Sequence, residues 1–327
     1  MFIHSHIRNN LLAVALFSFF TWAQNSVPPS GALIVRQGKT GKGEYATISA
    51  AVAALKGLTG PKTIFVYPGT YSEQVKLDYD SPLILQGYTT NPTSATSNQV
   101  NVQVAVSAAQ AGSNSKSATI WAYSDDIRIP NFNVINSFGT GTDTQALALA
   151  STGKRQAFKY CTFSSFQDTV EVEGLSYFYG CRVEGAVDFI FGPGSAWFTN
   201  SILAVKAASK PVVTAQRNRA GGKTSIVIDN SQFISAGAKA GSTYLGRPWS
   251  EYASVVVQSC SLSDIINPAG WSVWSPPSDP RTSHVSFQEY KNSGPGANSK
   301  ARQIGTQRSS KVEIAEVLGS DYGVWAN

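Results

Sequence analysis

The chain has 327 residues, only 14% of them Asp, Glu, Lys or Arg, with a formal net charge of +6 and a pI near 9.1. No break in composition divides it, and plentiful Ser, Thr, Gly and Asn suit a β-rich protein better than a helical one. A basic surface attracts polyanions, but the Lys and Arg are scattered without a long run, which excludes a dedicated nucleic-acid tract.

The first element is a secretory signal peptide over residues 1–23. Arg8 supplies the charged start, Leu11 to Phe20 an apolar stretch too short to span a bilayer, and Thr21-Trp22-Ala23 a small-x-small cleavage site. The mature chain, residues 24–327, is expected to be one secreted domain without a membrane segment. Its one candidate sequon, Asn91-Pro92-Thr93, is blocked by the proline. Cleavage removes His4 and His6 and leaves His284 as the last of three histidines. A multi-histidine zinc site is thereby excluded, and a Ser-His-Asp triad would rest on His284 alone. Three cysteines, Cys161, Cys181 and Cys260, allow at most one disulfide.

Tyr45 to Leu55 is the best helix candidate, placed to cap an open end of the strands after it. Those strands belong to a degenerate repeat. Similar segments are centred on Phe132, Cys161, Cys181, Ser201, Ser231 and Cys260, at intervals of 29, 20, 20, 30 and 29 residues. Each unit holds short β-prone runs, and no convincing amphipathic helix separates them, which argues against βαβ units. The pattern predicts an all-β fold, a parallel β-helix solenoid with coils of ~20–30 residues and a short N-terminal capping helix. The alternative is a β-sandwich with coincidental spacing. The tail after Pro276 has weak periodicity.

Stacked coils convert spacing into adjacency, because neighbouring strands lie roughly 4.8 Å apart. Cys161 and Cys181 become neighbours, as a disulfide or as an interior thiol ladder. Asp168 comes to lie beside Asp188 by the same offset of 20, and Gln145 precedes Gln167 by 22. Two adjacent carboxylates do not both ionise freely, which suits an acid beside a base or nucleophile; the alternative is a solvated turn bearing two unrelated aspartates. Asp188 sits among Val187, Phe189, Ile190 and Phe191, where a charge needs a partner. Arg247, in Leu245-Gly246-Arg247-Pro248-Trp249, can grip a carboxylate through two hydrogen bonds.

These segments resemble the pectin methylesterases, a carbohydrate esterase family, and run in the family's order over most of the mature chain. They are Pro68-Gly69-Thr70-Tyr71-Ser72-Glu73, Gln145-Ala146-Leu147-Ala148-Leu149, Gln167-Asp168-Thr169, Asp188-Phe189-Ile190-Phe191-Gly192 and Leu245 to Trp249. Gly270-Trp271 with Trp274 resembles the family's late aromatic segment. The resemblance implies a right-handed parallel β-helix that hydrolyses methyl esters of polygalacturonate. It makes Asp188 the nucleophile and Asp168 the acid/base. Gln167 and Gln145 would stabilise the oxyanion, and Arg247 would orient Asp188. Gln145, Arg247, Trp249, Trp271 and Phe191 would touch substrate. No cofactor or metal is implied, and the partner is methyl-esterified homogalacturonan met by a monomer, not nucleic acid or a membrane.

Two departures stand out. The family's first Gln motif often ends in Arg, whereas Leu149 here is followed by Ala150 and Ser151. The chain is expected to be the short form, as in fungi or bacteria, without the long pro-region of many plant relatives. Tyr71 and Glu73 read as residues that fix an early coil, and His284 as structural. Phe166, Phe189 and Phe191 could line a groove or fill the solenoid. The rival readings are a pectin-active β-helix glycoside hydrolase, for which paired carboxylates also serve, and a non-catalytic polysaccharide-binding β-helix. A pectate lyase would want a denser acidic cluster for calcium.

Overall fold

The computed structural model describes residues 26–38, 40–141 and 144–326. The signal peptide expected at 1–23 lies outside the described residues. The strands form three parallel sheets of eleven, eight and seven strands among the described residues. Seven successive coils each contribute one strand to every sheet, and the turns at either end contribute to fewer. One coil comprises Gln156–Lys159, Thr162–Ser164 and Val170–Val172, and the next Leu175–Tyr179, Arg182–Gly185 and Val187–Gly192. Phe158 pairs with Phe178, Phe163 with Val183 and Val170 with Ile190, so the offset of 20 is one full coil. The architecture is a parallel β-helix.

The repeat has a specific physical origin. Between the eleven-stranded and eight-stranded sheets the chain turns through a single residue of positive φ. These residues are Asn131 (61°), Tyr160 (52°), Gly180 (61°), Asn200 (51°), Asn230 (43°) and Ser259 (54°). Asn and Gly tolerate this left-handed conformation best. The next residue in every case is a repeat centre, and all six of those are buried. At that corner small side chains cap backbone groups. Cys161 Sγ donates to the carbonyl of Ile129 (3.2 Å), and Ser231 Oγ accepts from Ser201 N (3.0 Å) while donating to Asp229 O (2.7 Å). All three cysteines are free, so the corner is a ladder and no disulfide closes it. Inside the coils like side chains stack on like: the rings of Phe158, Phe178 and Phe198 follow one another at 4.7 and 4.1 Å.

The capping helix is present but shorter than expected, Ile48–Ala53, with Ile48, Ala51 and Leu55 closing the end of the core. Thr47 Oγ1 caps it by accepting from Ala50 N (3.1 Å). The carboxylate of Glu73 accepts from Ile48 N (2.8 Å) and Ser49 N (2.9 Å), which ties the helix to the first coil. The Tyr71 hydroxyl donates to Tyr67 O (2.9 Å) and accepts from Gln37 N (3.2 Å). Both residues are therefore framework.

Two further short helices, Ala108–Ala111 and Asn114–Ser117, lie in an excursion beside the seven-stranded sheet. The tail acquires a place as well. Ser286–Tyr290 and Thr306–Gln307 extend the longest sheet. Helices Ile314–Leu318 and Tyr322–Trp325 then fold back on its outer face over Ala157, Tyr177, Trp197, Val227 and Val256.

Candidate active site

The seven-stranded sheet carries the chemistry on its outer face. Its inward positions, Ile120, Leu149, Val170 and Ile190, belong to the core. The next residues along form an outward row of Trp121, Ala150, Glu171, Phe191, Ala215 and Arg247, one per coil and each in register with the next. Ala150 thus occupies the outward place between Trp121 and Glu171 where the expected Arg is missing.

The two aspartates lie at the entry to this row. Gln145 bridges Gln167, and Gln167 bridges Val187, while Val170 pairs with Ile190. Asp168 therefore faces Asp188 across neighbouring strands. Both adopt the left-handed conformation, with φ of 62° and 50°. That conformation is uncommon outside glycine, is tolerated by Asp, and recurs at functional sites. Against the following strand the register shifts between Val187 and Ile190, which sets Asp188 at an irregularity of the ladder.

Arg247 reaches Asp188 from the strand Tyr244–Pro248, across the small side chain of Ala215 that separates Arg247 from Phe191 in the row. Its Nε donates to Asp188 Oδ1 (2.9 Å) and its Nη2 to Oδ2 (2.6 Å), a bidentate fork. The guanidinium rests on the ring of Trp274, 4.2 Å from its centroid. Arg281 also lies over that ring (4.7 Å) and donates through Nη1 to the carbonyl of Trp249 (2.6 Å). Trp249 packs on Phe191 with ring centroids 5.9 Å apart and carries the Arg217 guanidinium 4.5 Å above it. Thr144 Oγ1 donates to Gln167 Oε1 (2.8 Å), which turns the two N–H groups of that amide away from Thr144. The backbone carbonyl of Gln145 accepts from Ala108 N (2.7 Å), which anchors the neighbouring helical excursion.

Electrostatics separates the two carboxyls. Asp168 and Asp188 are 7% and 4% exposed, so neither is bathed in solvent. Burial, then the charge of Asp188, then that of Glu171 push Asp168 well above the usual carboxylate range, with Arg247 opposing. Burial raises Asp188 as well, but the hydrogen bonds and charge of Arg247 pull it back, helped by Lys210. Among the described residues no side chain donates to the Asp168 carboxyl. Arg247 therefore favours the charged form of Asp188 more strongly than that of Asp168.

Asp168, Asp188, Gln145, Gln167, Arg247, Trp249 and Phe191 come together as expected from the sequence. Trp271 does not. It is 2% exposed, stacks on Phe287 at 4.5 Å and directs Nε1 to Glu289 Oε1 (3.3 Å), so it fills the end of the solenoid and is not a sugar contact. A Cβ on Gly246 would lie 3.0 Å from its ring, which shows how tightly it underpins the Arg247 strand. The aromatic against Arg247 is Trp274 instead. Phe191 is 3% exposed and backs Trp249 from below, and Phe189 belongs to the core. His284 stacks on Tyr252 at 4.8 Å. Thr144, Glu171, Arg217 and Arg281 were not expected at the site. The alternation of the strand Val170–Val172 could have pointed to Glu171, but only the folded chain brings the others in.

The family model described as Pectinesterase matches residues 34–317. The chain is 37% identical over 311 residues to "Probable pectinesterase A" of Aspergillus fumigatus, covering 93% of this chain and 91% of that protein. It superposes on the crystal structure of the pectin methylesterase from Aspergillus niger with a TM-score of 0.85 at 36% identity, over 92% of this chain and 98% of that one. A pectin methylesterase in complex with a hexasaccharide is similar at 26% identity and a TM-score of 0.74, over 90% of this chain and 98% of that one.

Proposed function

The chain belongs to the pectinesterase family, a family of carboxylic ester hydrolases, and we propose on that footing how its residues divide the reaction. The substrate is pectin, and the reaction removes its methyl esters. The Asp188 carboxylate attacks the ester carbonyl carbon, and the oxyanion that forms is held by side-chain N–H groups of Gln167 and Gln145. Asp168 passes its proton to the departing methoxy oxygen, methanol leaves, and an acyl-enzyme anhydride remains on Asp188. Asp168, now a carboxylate, takes a proton from water as that water attacks the acyl carbon. Asp188 departs as the anion and Asp168 is again protonated. Arg247 keeps Asp188 ionised and aimed, while Trp249, backed by Phe191, offers a face to a sugar ring.

The observation that carries this reading is the asymmetry of the pair. Asp188 is gripped by Arg247 at 2.6 and 2.9 Å, whereas Asp168 is buried without a cation bonded to it among the described residues. An ion pair alone would not need the second carboxyl. We further propose that the enzyme works as a secreted monomer after loss of residues 1–23. No helix among the described residues is long and apolar enough to cross a membrane.

The test is methanol release from highly methylated pectin, with reducing ends assayed in the same tube, for wild type and Asp188→Asn. Methanol without new reducing ends is expected from wild type. The variant should lose roughly 1,000-fold or more in kcat while its far-UV spectrum stays native. Reducing ends without methanol would move the two aspartates to glycoside cleavage, and a fully active variant would remove Asp188 from the nucleophile's role.

A further inference from the structure

A third carboxyl lies in the outward row of the same sheet and takes no part in the steps above. Glu171 is 4% exposed and stands in the outward row between Ala150 and Phe191, neither of which can solvate a charge. Its one side-chain hydrogen bond among the described residues comes from a neutral hydroxyl, Ser115 Oγ, at 2.6 Å from Oε2. Arg155, Arg182, Arg247 and Arg302 each form an ion pair with an acidic side chain, and Glu171 is in none of these. A carboxyl buried this way is costly as an anion, and a glutamine would accept from Ser115 at less expense. What a glutamate alone adds at this place is a charge that switches with pH.

The recipient of that charge immediately precedes the same short strand. Asp168 enters the strand Val170–Val172, and Glu171 lies three residues further on. We propose that Glu171 is a positioning residue that acts through Asp168, its negative charge holding the catalytic proton on Asp168 in the alkaline part of the working range. The proposal rests on Asp168 being the acid.

The charges facing both groups are consistent with this role. Burial pushes Glu171 up to about 7, with Ser115 opposing, Glu173 just beyond the strand adding to the rise and Arg217 drawing it down. Asp168 is acted on by Asp188, Glu171 and Arg247, and Lys210 acts on Asp188. The helix Asn114–Ser117 contributes the Ser115 hydroxyl, and the flanking strands contribute Ala150 and Phe191. Glu171 is thus neutral in acid and acquires its charge as the pH rises through about 7, where that charge opposes loss of the Asp168 proton. The two groups titrate as a coupled set, in which the first proton released makes the second harder to remove.

The experiment is the pH profile of kcat/KM for methanol release by the full chain, from about pH 5 to about pH 8.5, for wild type, Glu171→Gln, Ser115→Ala and Asp168→Asn. Glu171→Gln should match wild type at about pH 5, where Glu171 carries no charge, and fall roughly 3–10-fold below it at about pH 8. Its alkaline limb should move to lower pH by about half a unit or more. Ser115→Ala removes the donor that favours the Glu171 anion, so its limb should move in the same direction by less. A Glu171→Gln profile parallel to wild type, or lowered equally at every pH, overturns the proposal. If that variant does not fold, the limb of Ser115→Ala decides alone. An inactive Asp168→Asn beside an unshifted Glu171→Gln overturns the proposal only, whereas an active Asp168→Asn overturns the acid assignment and the proposal with it.

Discussion

At the scale of single residues the site balances function against stability. Asp168 is buried, lacks a bonded cation among the described residues and holds a pKa well above its ordinary value. A group raised in the folded state contributes stability that is complete below its unfolded pKa, about 4, and is lost as pH rises toward the folded value. Asp168→Asn escapes that loss. It should abolish turnover yet raise the thermal midpoint at about pH 7, with little gain at about pH 4. Scanning calorimetry at the two values checks this, and equal midpoints for wild type and variant at both would show that Asp168 is not held neutral by burial. Arg247→Lys should lose most activity, because an ammonium cannot reproduce the fork that meets both Asp188 oxygens. Steady-state kinetics at wild-type rates would reduce Arg247 to a packing role. Asp168 and Asp188 were legible in the sequence because the coil between them is 20 residues long, which makes that offset equal to adjacency, and Arg247 because a buried anion needs a cation. Thr144, Arg217, Arg281 and the true partner of Trp274 were not, since they reach the site from loops and corners whose path no spacing encodes.

At the scale of elements, each short piece depends on a partner far along the chain. The capping helix spans only Ile48–Ala53, too short to persist alone. It is held by Thr47 at its start, by Glu73 on two of its first amides and by the burial of Ile48 and Ala51. Glu73→Ala should therefore cost about 1–2 kcal/mol of stability, read from urea unfolding, and leave kcat/KM unchanged. An unaltered unfolding midpoint would show that Thr47 suffices as the cap. The left-handed corners work likewise. Asn131, Asn200 and Asn230 are placed where a single residue must reverse handedness, and after the latter two the buried hydroxyls of Ser201 and Ser231 cap the turn. The sequence displayed this corner as a repeat centred one residue later, without disclosing what the repeat was for. Trp271 shows the opposite failure. A Gly-Trp pair reads equally well as a sugar platform or as core, and packing against Phe287 decides for core.

At the scale of the whole molecule, a solenoid has two long flanks to protect. One flank is the catalytic face, left open beneath Trp249 and Trp274. The flank on the longest sheet carries an apolar row of Ala157, Tyr177, Trp197, Val227 and Val256, which the tail covers with Val312, Leu318 and Trp325. Arg128 locks that strap by donating to the carbonyls of Trp325 (3.0 Å) and Val324 (2.8 Å). Leu318, at 1% exposure, is its central contact. Leu318→Ala should lower stability by roughly 2–4 kcal/mol, seen in the denaturation midpoint, while activity in the folded protein persists. A loss within a few tenths would mean that the strap merely lies on the sheet.

The sequence by itself determined the solenoid, its coil length, the adjacency of Asp168 and Asp188 and the need of Asp188 for Arg247, because each follows from a fixed strand spacing and from the cost of a buried charge. Tertiary structure alone decided how burial and neighbouring charges raise Asp168, which tryptophan carries the Arg247 guanidinium, where the tail docks and that a third carboxyl, Glu171, is buried on the same sheet. Those outcomes depend on burial and on charges arriving from distant loops, and neither quantity exists until the coils have closed on one another.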